Sequence, residues 1–492
     1  MEERARTLER LASETFDLLV IGAGIIGARI AFEASRAGAR VALLDAADFG
    51  GATSSASSKL IHGGLRYLPM GDIGLVRQAH AERRALLDRV APHLVRPLTF
   101  VLPVYRGGPD GVAAVGAALL VYSALSSFRH SKARMVGAAS AGRLVPDLRT
   151  EGMRAAGVYE DAQTHDSRLV LATVQGAVAA GATALNHQPV TSLDVAGGQV
   201  SAAHAGDLTI RCRAVINAAG PWVDAVRRLE DPRAKPIAWL SKGVHLVVDQ
   251  PPGWRAALAV PLERGRVTFA VPWEGMLVLG TTDTEHAGDP STARVEPGDV
   301  ETVIREASIG LPADLVTPDR VRFSFAGLRV LPRVGGDTAS APRDEVVHTG
   351  PAGMVSVAGG KLTTHRRIAI HVLRQLDEFR HARLSPDPLP GSGALPDRPP
   401  EAEPDVWAHL THLYGDRAAQ VADAGLEPVH PGGPDVWGQV HHAIANEWAL
   451  TVEDVVRRRT TLAIRGLATS EVCRQIAATF AEQGVLQLTD ER

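Results

Sequence analysis

Residues 53–68, TSSASSKLIHGGLRYL, gather side chains from which a chemical site can be built. Thr53, Ser54, Ser57 and Ser58 offer hydroxyls that both donate and accept hydrogen bonds. Gly63 and Gly64 offer main-chain N–H groups with no side chain in the way, and such turns suit anionic oxygens. His62 changes charge near neutral pH, so it can take a proton from a reacting hydroxyl. Lys59, Arg66 and Tyr67 add cations and a phenol for holding an anion. LIHGGLRYL is too apolar for a solvated loop. We read the segment as wrapping a bound molecule and reaching its reactive end.

The segment just upstream says what that molecule contains. Gly22, Gly24 and Gly27 form G-x-G-x-x-G between an apolar run, FDLLVIG, and a helical run, ARIAFEASRAG. The first glycine permits the tight turn, the second lets the backbone approach a pyrophosphate, and the third lets helix and strand pack. Ile25 opens the helix, whose N-terminus carries partial positive charge toward the phosphates. Asp45 ends the next strand and is placed to hold a pair of ribose hydroxyls, which argues against a 2′-phosphate and so against NADP. The hydroxyl-rich stretch that follows suits a ribityl chain. FAD has one and a nicotinamide dinucleotide does not, so FAD is the expected cofactor. A third turn, AGGKLTTHR at 358–366, repeats the theme. Thr363 or Thr364 is expected to cap the following helix, whose N-terminus would stabilise negative charge on a reduced flavin ring, with Lys361 on the turn.

The elements that must position these residues are read from period and punctuation. Residues 16–45 read as strand, turn, helix and strand. Residues 72–92, 167–181 and 298–309 read as helices. Residues 97–105, 214–217, 242–249 and 266–280 read as strands, with a hairpin turn at 272–275. Residues 353–380 repeat strand, glycine turn and helix. Residues 385–404, SPDPLPGSGALPDRPPEAEP, are too proline-dense for a core element and read as a linker. Beyond them the pattern is helical. The expected fold is α/β: a Rossmann-like FAD-binding domain from 16–100, 155–225 and 325–382; an inserted antiparallel-sheet substrate domain from 101–154 and 226–324; a linker at 383–404; and a C-terminal helical domain at 405–492.

Composition narrows the classes. The formal net charge of -3 gives no footprint for nucleic acid. Cys212 and Cys473 match no zinc spacing and make no disulfide framework, so we expect a reducing compartment and no metal. The N-terminal MEERARTLERLASET is charged and lacks the apolar segment of a secretory signal. The longest apolar run, 112–125, is too short to span a bilayer and reads as a buried or interfacial helix. Arginine outnumbers lysine 47 to 5. A lysine that persists against such a bias is worth attention. Lys59 and Lys361 fall in the two strongest motifs, and Lys242 in a third candidate segment, SKGVHLVV.

IGAGIIGARIA, ATSSASSKLIHGGLRYL, VINAAGPWV, SKGVHLVV, VPWEGMLVLGTTDTEHAGDP, FAGLRVLP, APRDE and SVAGGKLTTHR together resemble the FAD-dependent glycerol-3-phosphate dehydrogenases, over most of the chain. The C-terminal NEWALTVEDVVRRRT also looks like that family's helical cap. The resemblance implies hydride transfer from C2 of sn-glycerol 3-phosphate to flavin N5, giving dihydroxyacetone phosphate, with electrons passing to a membrane quinone. It implies a cytoplasmic protein held peripherally on the lipid surface of the inner face, and leaves a homodimer open. Residues 107–150 depart from the family pattern, so no membrane-binding surface is carried over to them. The long insertion of the oxygen-using oxidases is absent. By resemblance Arg66, Tyr67, Arg329, Arg343 and Lys361 line the substrate pocket, and Val190, Ala219, Gly220, Trp222, Gly327, Gly360 and Leu362 join the cofactor site. His62 and His245 are the candidate bases. Asp283 orients a cation, binds substrate or holds a hairpin end. Arg457, Arg458 and Arg459 read as a salt-bridged helix face rather than a lipid contact. The alternatives are a related flavoenzyme acting on another 2-hydroxy or amine substrate, and a non-catalytic flavin-binding redox sensor. Four cations suit a phosphate dianion better than one carboxylate.

Overall fold

The computed structural model describes residues 2–65, 68, 72–126, 133–263, 266–333 and 345–485. Strand Leu18–Ile21 is buried along its whole length, as an apolar run flanked by parallel neighbours must be. It lies within a six-stranded sheet ordered Glu345–Thr349, Val355–Gly359, Val215–Asn217, Leu18–Ile21, Val41–Leu44 and Thr183–Leu185. The last five strands are parallel and only the edge strand Glu345–Thr349 runs against them. On one face, helix Ile25–Arg36 packs between helices Asp166–Ala179 and His365–Leu373. The other face is covered by a four-stranded sheet whose Val200, Ala203 and Ile210 pack on Leu19, Ile21 and Leu44.

A second, ten-stranded and mostly antiparallel sheet carries the inserted domain. Its spine is the long pair Ala238–Asp249 and Val321–Pro332, in register from Ala238↔Pro332 to Val247↔Phe323, with a one-residue shift before Val248↔Val321. The expected boundary at 325 therefore moves, because Val321–Pro332 pairs along its whole length with the inserted sheet. Strands Val95–Tyr105 and Met153–Thr164 also pair there rather than in the parallel sheet.

Helix Val112–Leu125 packs only one side. Val115, Leu119 and Tyr122 are buried, whereas Leu120 is 64% and Val121 44% exposed. Among the described residues no helix is long and apolar enough to cross a membrane.

The proline-rich stretch is irregular, yet it packs. Leu389 is buried and its N–H donates to Val90 O at 2.8 Å, while Ser385 O accepts from buried Arg366. Satisfying main-chain groups against the first domain makes it a strap rather than a free spacer. Beyond it, helices Pro404–Tyr414, Trp437–Asn446 and Ser470–Glu482 and their connections close small cores around Leu410, Leu413 and Val421, and around Val440, Leu462 and Phe480. The mixed α/β fold with a C-terminal helical domain is the expected one.

Candidate active site

A cavity of about 1070 Å³ runs from the first glycine turn to the inserted sheet. Its volume and its mixed polar and apolar lining suit a dinucleotide. Gly22, Gly24, Ile25, Asp45, Thr53, Ser54, Ser57, Ser58, His62, Val190, Ala219, Gly220, Trp222, Gly327, Arg329, Gly360, Lys361, Leu362, Thr363 and His245 all border it. These residues come from stretches far apart in the sequence, between 22 and 363, and the two sheets bring them together. Arg66, Tyr67 and Arg343 lie outside the described residues. Gly27, Lys59, Gly63, Gly64 and Asp283 do not border the cavity.

At the fingerprint end the main chain does the work. Gly22 has φ +97°, and a Cβ there would come within 2.6 Å of Ala218 O. A Cβ on Gly27 would meet Gly22 O at 1.9 Å, so this glycine serves the packing of the turn rather than the ligand. Helix Ile25–Arg36 begins at Gly24 with no side-chain cap and no acid in its first turn, leaving its positive end for an anion. Ser54 Oγ takes the Ile25 N–H at 3.0 Å. Asp45 accepts from Ala23 N at 2.7 Å and Ala47 N at 2.9 Å. Burial pushes its carboxyl up to about 6 despite those bonds. A helix N-terminus, a pinned carboxylate and a run of hydroxyls are the donor and acceptor set that FAD requires, so these residues fit the cofactor.

The hydroxyl-rich segment divides its labour. Thr53 Oγ1 donates to Leu328 O at 2.7 Å, tying the segment to the inserted sheet. Ser57 Oγ donates to Asp166 at 2.7 Å. Lys59, expected on the cofactor, turns inward instead. Its ammonium pairs with Asp166 at 2.7 Å and donates to Ser55 O at 3.2 Å, 5.0 Å from the Trp273 ring. Two buried opposite charges satisfy each other, so Lys59 shapes the segment from beneath.

The inserted sheet makes room for this segment by omission. Gly243 and Gly327 face each other in register. A Cβ on Gly327 would meet Ala56 O at 2.4 Å, and one on Gly243 would meet Arg329 Nη2 at 2.6 Å. Two residues along the same strand pair, His245 stacks on Phe325, with ring centroids 4.8 Å apart and planes 13° apart. Its Nε2 lies 2.8 Å from Ser58 Oγ. Burial first, then the charges of Arg329 and Lys59, lower its pKa to about 3. His245 is therefore a neutral ring at physiological pH and a weak proton acceptor.

Arg329 is fixed on several sides. Nη2 donates to Thr281 Oγ1 at 2.9 Å and Thr282 O at 3.0 Å, and Nη1 lies 3.4 Å from Asp283. Asp283 also accepts from Ser241. Lys242 points elsewhere, onto Asp299 at 2.7 Å and Glu296 at 3.0 Å.

His62 and the third turn are stitched together. Thr363 Oγ1 accepts from His62 N at 3.1 Å and donates to His62 O at 3.3 Å. That bond takes the hydroxyl expected to cap the next helix, and Thr364 makes no cap either. Gly63 N donates to Asp161 at 2.9 Å, and Asp161 also accepts from Tyr122 Oη at 2.7 Å and pairs with Arg83. The His62–Gly63 turn is thus held from two sides.

Asp161, Asp166 and Gly243 are absent from the sequence reading. Three acids, Glu160, Asp161 and Asp166, in the segment GVYEDAQTHDSRLVL were the available sign of the first two.

Comparison with known proteins agrees with this geometry. The family described as "FAD dependent oxidoreductase" matches residues 17–366, and "C-terminal domain of alpha-glycerophosphate oxidase" matches residues 355–491. The "Probable glycerol-3-phosphate dehydrogenase, mitochondrial" of Caenorhabditis elegans is 33% identical over 96% of this chain and 71% of its own length. The "Glycerol-3-phosphate dehydrogenase" of a Synechocystis strain is 32% identical over 93% of this chain and 91% of its own. Among solved structures, the glycerol-3-phosphate dehydrogenase from Bacillus halodurans complexed with FAD superposes with a TM-score of 0.78 at 28% identity, covering 98% of this chain and 93% of that one.

Proposed function

We infer the function from one premise: the chain belongs to the glycerol-3-phosphate dehydrogenases of the FAD-dependent oxidoreductase family. Its reaction is the oxidation of sn-glycerol 3-phosphate to dihydroxyacetone phosphate. FAD, when bound, supplies the hydride acceptor at N5. Gly22, Gly24, Ile25, Asp45, Ser54, Ser58 and Leu362 are the residues that would hold it.

The observation that carries the substrate reading is Arg329, a guanidinium held on the cavity wall by Thr281, Thr282 and Asp283 and facing the same space as His62 and Lys361. A preset guanidinium fork and an ammonium suit a phosphate dianion. Arg329 and Lys361 anchor the phosphate, and the C2 carbon is thereby placed near His62. His62 takes the C2 hydroxyl proton as the hydride leaves. His245, neutral and fixed by Ser58, hydrogen-bonds the substrate without claiming its proton. Arg66, Tyr67 and Arg343 join the phosphate site by resemblance.

The acceptor we propose is a membrane quinone, reached by peripheral docking on the cytoplasmic lipid face. Support comes from helix Val112–Leu125, which has no charged residue and exposes Leu120 and Val121 while Ala114, Val115 and Ala118 border the cavity. The homodimer rests on the resemblance alone. Steady-state assays with an artificial electron acceptor test the substrate: turnover with glycerol 3-phosphate and none with glycerol, lactate or proline is expected. Equal turnover with an unphosphorylated substrate would overturn the reading.

A further inference from the structure

No described residue beyond Thr363 borders the cavity, yet the C-terminal helical unit bonds the loop that forms one of its walls. The loop after strand Val41–Leu44 puts Asp45, Ala46, Ala47, Gly50 and Gly51 on the cavity. Asp48 points the other way and is 1% exposed. It accepts from Arg458 Nε, from Arg459 through both Nη atoms, one of them at 2.8 Å, and from Asn186 Nδ2 at 3.1 Å.

One ring contact joins the same two regions directly, and residues 186–188 bridge them. Asn186 Nδ2 donates to Trp448 O at 2.8 Å. The Trp448 ring meets Phe49 edge-on at 5.4 Å. His187 Nε2 lies 3.0 Å from Asp454, and its backbone N–H donates to Ala47 O at 2.9 Å. Gln188 N donates to Asp45 O at 2.8 Å, so the supporting segment touches the putting-in-place of Asp45 itself.

Asp48, His187 and Asp454 lie close enough together to suggest a cation site. The charge count argues otherwise. Two buried carboxylates already face two buried guanidiniums, Arg458 and Arg459, and Arg458 bonds both acids. A balanced cluster has no charge left for a metal ion. Such a cluster adds little net stability against an apolar equivalent, but it fixes register, and removing one member leaves an uncompensated buried charge.

We propose that the C-terminal helical unit is a cofactor clamp: Arg458 and Arg459, anchored on Asp48, hold the 45–51 loop in the shape that retains FAD. The inference rests on FAD occupying the cavity and is independent of the substrate. Coupling of this kind is reciprocal, so bound FAD also tightens the docking of the unit.

The test measures FAD release from the purified holoenzyme by the rise in free-flavin fluorescence, with no substrate present. Asp48→Asn is expected to release FAD at least about tenfold faster, and Arg458→Lys, which keeps the charge, by less. Glu274→Gln is the control. Glu274 binds the same unit through His412 at 2.9 Å, but at the inserted sheet and away from the loop. It is expected to lower the melting temperature and leave the FAD release rate unchanged. Should Asp48→Asn not fold, Arg458→Lys and Arg459→Lys carry the test. The clamp is overturned if these variants hold FAD as tightly as wild type. It is equally overturned if Glu274→Gln releases FAD as fast at a comparable loss of melting temperature. Because no substrate enters the measurement, a wrong substrate assignment would leave its outcome unchanged.

Discussion

The two ends of the cavity are built by different means. The fingerprint end is mainly backbone: a helix N-terminus, glycine turns and one carboxylate pinned by two N–H groups. The proposed reacting end is side chain: His62, His245, Arg329 and Lys361, from four separate stretches, the first three set by Thr363, Ser58 and Asp283. A backbone site tolerates changes of charge and fails when space is filled. A side-chain site tolerates small steric changes and fails when a charge is lost.

The sharpest test of that contrast is steric. Gly27→Val places atoms where Gly22 O already lies, so flavin content per protein should drop to near zero, read from the visible absorbance of the purified chain. Retention of full flavin would break the comparison at its first term. At the other end, Arg329→Ala should keep its flavin. It should lose about 2–5 kcal/mol of transition-state binding, roughly 30- to 5000-fold in kcat/KM for glycerol 3-phosphate. Flavin loss in that variant would show that the two ends are not separable.

Smaller effects sharpen the same picture. Asp283→Asn leaves Arg329 its bonds to Thr281 and Thr282, so kcat/KM should fall by about 1–1.5 kcal/mol, roughly tenfold. An undiminished value would mean that Asp283 does not orient the guanidinium. The fingerprint end has its own titration. Asp45 is raised to about 6, and only its ionised form accepts from two ribose hydroxyls. FAD affinity should therefore be greatest above pH 6 and weaken as pH falls through 6, by at most about tenfold per unit. Equilibrium titration with FAD at graded pH measures this, and Asp45→Asn should flatten the dependence.

The same contrast explains what could be read from the chain. The glycine fingerprint and Asp45 are legible because strand, turn, helix and acid are contiguous, each with a local steric reason. Asp166 was not legible: its partners Ser57 and Lys59 lie more than a hundred residues away, joined only by tertiary packing. Gly243 acquires meaning only opposite Gly327. Lysine scarcity pointed to Lys59 and Lys361 alike, yet one lies under the site and the other on it, because scarcity reports a need for an ammonium and not its address. The linker was read from proline content, which excludes regular structure but says nothing about packing, and Leu389 packs.

The central claim is that the reacting end recognises glycerol 3-phosphate and delivers its hydride to flavin held at the other end. Anaerobic addition of glycerol 3-phosphate to the flavin-replete protein tests it most directly. The account predicts that the visible flavin band bleaches to completion at stoichiometric substrate turnover, and that Arg329→Ala bleaches far more slowly. A protein holding full flavin whose band does not change would contradict it.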